Sequence, residues 1–211
     1  MKKTAVMMDG GFVFPQLKKR LKRPPTAADL YEFGLKTLDQ TEELFRLYFY
    51  DCPPFEGKVT NPISGQTTDY AQEPFARDRK RLLSELVIKD HVAFRRGVLS
   101  FDGWQIKPNT INNLITAATQ TANTTSSLTA TDVYPKFSQK RVDMNIELDV
   151  AWLSSKRIVE RIVLVTADSD FIPAMKFARR EGIQIVLVPL EGNPKFELKE
   201  HADITRSVTY P

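Results

Sequence analysis

The chain has 211 residues, a hydrophobic fraction of 42% and a formal net charge of +4. That length suits one large domain over 1–211, and the apolar fraction supplies a sizeable core, which excludes disorder of the whole. One cysteine, Cys52, excludes an internal disulfide and fits a reducing cytoplasm, while the mild basic excess permits a nucleic-acid partner without requiring one.

The first predicted element is a short buried strand at residues 4–8, closed by Asp9-Gly10-Gly11 as a tight turn. Its apolar run is too short for a signal peptide and stops at a carboxylate. No later stretch nears the roughly 20 apolar residues of a membrane span, so no membrane partner is expected. Residues 12–21 read as a helix with Leu17 and Leu21 four apart, broken by Lys22-Arg23-Pro24-Pro25; Thr26 or Asp29 caps the next helix. Residues 43–50 alternate through Leu44, Arg46, Tyr48 and Tyr50 as a second strand, which ends at Asp51-Cys52-Pro53-Pro54. The following twenty residues, with Gly57, Pro62, Gly65 and Pro74, read as loop.

A helix follows at 75–88, with Leu82, Leu83 and Leu86 inward and Arg77, Arg79, Lys80 and Arg81 outward. Strands come next at 92–101 and 104–107. Residues 109–134 are rich in Thr, Ala, Asn and Ser with weak periodicity and read as an insert or linker helix. Val142, Ile146, Asp149 and Leu153 then share one helical face. Residues 162–166 form a run of β-branched residues interrupted only by Leu164, hence a central parallel strand. A helix at 171–180 ends before Gly182, and 183–188 is a further buried strand. Strand, helix and strand in that order make a right-handed βαβ unit. The fold class is therefore α/β: a central, mostly parallel sheet flanked by helices, with no internal repeat.

In such sheets ligands sit beyond the carboxyl ends of the strands. Two apolar strands here end in acid, one at Asp9 and one at Asp168-Ser169-Asp170. Packed carboxylates repel one another unless a cation offsets them. With His91 and His201 the only histidines, any ion must be held by oxygen, which points to Mg²⁺ or Mn²⁺. Each acid also has a plainer reading: Asp9 as a turn residue, Asp170 as the cap of the helix that carries Pro173, and Asp143 as the cap of the helix behind it. Asp149, on an apolar face, calls for a partner or a function.

Asp9-Gly10 after the first strand, Lys140-x-Val142-Asp143 with Asp149 six further on, and Thr166-Ala167-Asp168-Ser169-Asp170-Phe171 before a helix resemble the NYN domain family of the PIN-like nucleases. Tyr48-Phe49-Tyr50-Asp51 before Pro53-Pro54, and Gly182 before the last strand, are similar to that family too. The resemblance covers most of the chain in the same order and is weakest over 109–134. It implies a PIN-like three-layer fold and metal-dependent endonuclease activity, most often on RNA. Asp9, Asp143, Asp168 and Asp170 match the catalytic, metal-holding positions, with Asp149 a supporting member. One residue departs: Phe12 stands where many relatives carry Asn.

The expected reaction is phosphodiester hydrolysis in single-stranded or looped RNA with Mg²⁺ or Mn²⁺, DNA being a further candidate substrate. Lys140, Arg141, Arg95 and Arg96 are candidates to meet the phosphates, against an ordinary role as solvated charges. Two rivals stand beside this. One is a binding module of the same fold that does not cut, motivated by Phe12. The other is a phosphatase of the haloacid dehalogenase type, prompted by the Asp-x-Asp pair but short of downstream chain. The sequence leaves the oligomeric state open, a homo-oligomer included.

Overall fold

The computed structural model describes residues 1–120, 127–190 and 194–210. Residues 121–126, within the expected insert, lie outside these. The chain divides into two compact units, the larger formed by Met1–Pro53, Lys80–Val98 and Lys140–Pro211, the smaller by Pro54–Arg79 and Leu99–Gln139.

The larger unit is built on strand β1 (Lys2–Asp9), whose Ala5, Val6, Met7 and Met8 are fully buried because both faces of the strand are covered. Helix α1 (Gly10–Leu21) follows with no separate turn, since Asp9 accepts the N–H groups of Gly11 and Phe12 and so caps it. Helix α2 (Ala27–Lys36) opens on a capping box that uses both expected residues. Thr26 accepts from the Asp29 N–H, and the Asp29 carboxylate accepts from the Thr26 N–H. Strand β2 (Glu42–Asp51) runs parallel to β1, with Asp9 opposite Tyr50.

In the smaller unit the expected loop holds a hairpin, β3 (Lys58–Thr60) with β4 (Thr67–Asp69) antiparallel to it. Its turn is set by Asn61, whose Oδ1 accepts from the N–H groups of Ile63 and Ser64, and by Gly65 at a φ of 71°. Helix α3 (Pro74–Val87) starts in this unit and gives Leu82, Leu83 and Leu86 to the core of the other.

The strand expected over 92–101 is two strands that part at Gly97. Strand β5 (Val92–Arg96) pairs parallel with β2, whereas β6 (Val98–Ile106) pairs with β7 (Val133–Lys140) in a sheet of its own. Helix α4 (Pro108–Gln120) occupies the first half of the expected insert. The rings of Phe55, Tyr70, Phe101 and Phe137 meet at 5.1–6.4 Å between centroids and give the smaller unit a half-buried aromatic cluster.

The chain then builds helix α5 (Val142–Ser155), strand β8 (Arg161–Val165), helix α6 (Ile172–Arg180), strand β9 (Gln184–Leu187), helix α7 (Phe196–Glu200) and strand β10 (Ile204–Thr205). The main sheet has the order β10-β9-β8-β1-β2-β5, and every ladder in it is parallel. On one face Val6, Met8, Leu47, Phe49, Val163, Val165 and Val186 pack with apolar residues of α1, α2 and α3. The intervening residues face α5 and α6, which contact β1, β2, β5 and β9. This is the three-layer α/β arrangement expected. From β1 the chain departs to β2 on one side and later returns to β8 on the other, so the strand order reverses between β1 and β8 and their carboxyl ends mark the switch point of the sheet.

Candidate functional site

Four chain segments deliver acids to that edge. Asp9 ends β1, with its carboxylate on the Gly11 N–H at 2.9 Å and the Phe12 N–H at 3.4 Å. Burial pushes its pKa up to about 6 against these two hydrogen bonds, and the charges of Asp143 and Asp51 push the same way. Asp143 lies in the first turn of α5; burial raises its pKa, and the charges of Asp168 and Asp170 add to the rise. Asp143 thus joins the acid of β1 to the pair beyond β8.

That pair is held by its own turn. The buried Thr166 hydroxyl accepts from the Asp168 N–H at 3.1 Å, and the Asp168 carboxylate accepts from the Asp170 N–H at 2.9 Å. The capping role considered for Asp170 therefore falls to Asp168, which caps the single helical turn Ser169–Phe171. Asp143 is not a cap either, since Arg141 holds that position, in the left-handed region at a φ of 71°.

Asp51 was missed in reading the sequence, although β2 ends on it just as β1 ends on Asp9. It is 3% exposed, and its carboxylate accepts the Cys52 N–H at 2.8 Å. Gly10 makes its position feasible: a Cβ there would stand 2.7 Å from the Tyr50 carbonyl oxygen and 2.8 Å from the Asp51 Cβ. Gly97 does the same for α5. A Cβ on it would meet Val142 Cγ2 at 2.6 Å, the Cys52 sulfur at 2.7 Å and the Lys140 carbonyl oxygen at 2.9 Å, all beside the start of the helix that carries Asp143.

Asp149 is held in a different way. Arg95 grips its carboxylate through Nε at 2.7 Å and Nη2 at 3.3 Å, and the buried Tyr50 hydroxyl donates to it at 3.0 Å. The contact ties α5 to β2 and β5. Arg95 also lies over the Tyr48 ring, 5.1 Å from its centroid.

The other basic candidates are exposed: Arg96 lies over the Phe94 ring, and Lys140 and Arg141 lead directly into α5. A further cation went unnoticed in the sequence. Lys195 extends its ammonium to the Ser169 hydroxyl, 3.4 Å away, between Asp168 and Asp170. Phe12 gives the site its backbone N–H, and its ring packs against the apolar core. Two open surface depressions, lined by Gly182, Gln184, Glu160 and Lys2 among others, lie by the amino ends of the strands, away from the acids.

The acids at this edge offer carboxylate oxygens, the chemistry that suits a hard divalent cation. Among the described residues no three His, Cys, Asp or Glu side chains already converge on one ion position. A bound ion would need carboxylates to turn toward it, which is open to the exposed Asp143 and Asp170.

A parallel, three-layer α/β protein with carboxylates gathered over its switch point is the class that the fold and the site define. The model of the NYN domain matches residues 66–208, most of the chain, and the chain belongs to the NYN domain family, within the PIN-like nuclease superfamily. The match takes in Asp143, Asp149, Asp168 and Asp170, while Asp9 and Asp51 precede it. No curated protein matches. Among solved structures, a protein of unknown function from Vibrio parahaemolyticus, VPA0982, is similar in fold, with a TM-score of 0.52 and 14% identity, over 99% of this chain and 93% of that one. A Sir2 complex with deacetylated p53 peptide and 3'-O-acetyl ADP ribose reaches a TM-score of 0.35 at 11% identity, covering 96% of this chain and 87% of that one, a likeness too slight to bear on fold or function. Among the described residues no helix is long and apolar enough to cross a membrane.

Proposed function

We propose that this chain is a divalent-metal-dependent endonuclease that hydrolyses phosphodiester bonds in single-stranded or looped RNA. The observation that carries the reading is the electrostatic linkage of four strand-end and helix-start acids: Asp143 with Asp168 and Asp170, and Asp9 with Asp143. Such a group is costly in the absence of a cation and useful with one. Asp9, Asp143, Asp168 and Asp170 would hold Mg²⁺ or Mn²⁺. When bound, the ion supplies Lewis-acid stabilisation of charge on the phosphoryl oxygens and lowers the pKa of water.

The chain's own residues do the rest. Asp9, anchored by two backbone N–H groups, is the fixed member of the set, and Asp168 is braced by its turn. Asp51, buried with its carboxylate on the Cys52 N–H, adds a further carboxyl group at the end of β2. Lys140, Arg141 and Arg96 approach the phosphates of the strand; Arg95, held by Asp149, does so less. A buried free thiol and a single cysteine fit work in the cytoplasm.

Cleavage of a labelled single-stranded RNA in Mn²⁺ tests this, with Asp143→Asn and Asp168→Asn beside the wild type. The expected loss is about 100-fold or more in each variant, since even groups one shell outside a metal cost 10- to 100-fold. Equal cleavage by all three removes the mechanism. A second reading, RNA binding without cleavage, draws on Phe12 and on carboxylates that do not yet converge. Metal-dependent binding of the intact RNA with no product would favour it.

A further inference from the structure

The edge that carries the acids also carries a Lys-Phe pair. Strands β8 and β9 are parallel neighbours, so the segments leaving their carboxyl ends emerge on one side of the sheet. The segment after β8 contains Asp168, Ser169 and Asp170. The segment after β9 leads to Lys195, whose ammonium reaches the Ser169 hydroxyl at 3.4 Å. The next residue, Phe196, is 79% exposed, while Leu198 on the same short helix is fully buried and anchors it.

A phenylalanine left in water contributes little to folding, and its ring is an unfilled apolar face. Beside it stands a cation within reach of the turn that holds two of the acids. A phosphate and the base attached to it present the complementary pair, an anion and a flat π surface about one residue apart. In a duplex that base is already stacked and paired; in a single strand it is available.

We infer that Lys195 and Phe196 form a nucleotide subsite flanking the acidic site, with Phe196 stacking on an unpaired base and Lys195 meeting the adjoining phosphate of single-stranded RNA. This rests on the nuclease reading for its substrate. It goes beyond that reading in assigning a place where the strand is gripped and a basis for preferring unpaired substrate.

Two measurements on the full chain test it. In steady-state cleavage of a labelled single-stranded RNA in Mn²⁺, Phe196→Ala raises KM by about 5- to 150-fold, the range for loss of one stacked base, and moves kcat less. Phe196→Tyr and Phe196→Trp restore KM, whereas Phe196→Leu, apolar but not aromatic, does not. Lys195→Ala lowers the salt dependence of binding by about 0.7 in log–log slope, one phosphate contact on a single strand.

In the second measurement Phe196→Trp is placed in the Asp143→Asn background, and its emission is followed against Asp143→Asn alone. Titration with the single-stranded RNA quenches the added tryptophan, and a duplex of the same sequence does not. Quenching without any cleavage by the wild type keeps the subsite and removes the nuclease. Cleavage by the wild type with KM unchanged in Phe196→Ala removes the subsite and keeps the nuclease. Equal quenching by duplex and single strand overturns the assignment to an unpaired base.

Discussion

Arg95 grips a carboxylate that is mostly shielded from water, the Asp149 side chain being 18% exposed and that of Arg95 40%. Removing the arginine takes the counter-charge from Asp149 and leaves its carboxylate on the Tyr50 hydroxyl. Arg95→Ala is expected to cost about 1–2 kcal/mol in urea unfolding, the range for charged hydrogen bonds reduced for the exposure of the arginine. The cost should largely vanish in a double-mutant cycle with Asp149→Ala. An unchanged midpoint together with weaker RNA binding would return Arg95 to the phosphate role expected from the sequence. Cys52 illustrates the same local control, for burial raises its thiol pKa to about 11 in spite of the Lys140 N–H that donates to it. At pH 8 a thiol reagent should label it only as fast as the protein opens, which labelling followed by mass spectrometry at rising urea would show. The spacing of Val142, Ile146 and Leu153 was enough to mark Asp149 as inward-facing. Its partners, 54 and 99 residues away, were not readable, because a pairing across separate strands leaves no local pattern.

Among the elements, long periodic runs were legible and short ones were not. β1, β2, β8 and β9 and helices α1, α3, α5 and α6 appear near their expected places because burial on one or two faces imprints a period on each. β3 and β4 have three residues each and β10 has two, too few to show a period. The division at Gly97 was hidden as well. An unbroken apolar run does not reveal that its two halves pair in different sheets, and the close approach that needs a glycine there is a tertiary fact. One polar group joins several elements at once. Glu42, the first residue of β2 and 4% exposed, accepts from Arg161 at 2.5 Å and from Arg206 at 2.8 Å, while Asp39 shares both arginines. Burial alone would raise the Glu42 pKa, and the two guanidinium groups outweigh it and hold it low. Glu42→Gln preserves the volume but removes the buried one of the two carboxylates that offset these cations, one of which is 5% exposed, and leaves them the half-exposed Asp39. The expected loss is about 3–5 kcal/mol, measured by the urea midpoint, and a loss under 1 kcal/mol would mean the arginines relax to solvent.

Across the whole molecule the titrating acids form two opposed sets, which gives metal-free stability a maximum in pH. Asp29, Asp39 and Glu42 have folded pKa values below their unfolded ones, so their contribution is present above the unfolded values, near 4, and is lost as pH falls. Asp9 and Asp143 have folded values above the unfolded ones. Their contribution is present below about 4 and is lost as pH rises through the folded value, about 6 for Asp9. The melting temperature of the metal-free protein should therefore peak near about pH 4.5 and fall as pH rises to about 7, Asp9 supplying a decline on the order of 2 kcal/mol. Asp9→Asn, which can still cap α1 through its amide oxygen, should flatten the alkaline limb and raise stability at pH 7.5. Mn²⁺ should do likewise for the wild type, because it offsets the charges whose repulsion causes the decline, and should add less to Asp9→Asn. A profile flat from pH 5 to 8, or an equal Mn²⁺ response in both proteins, would mean that the acids do not act as one group. The sequence made the gathering of acids legible through the strand ends at Asp9 and Asp168, but its energetic cost depends on Asp51 and on burial, which only the packed layers supply.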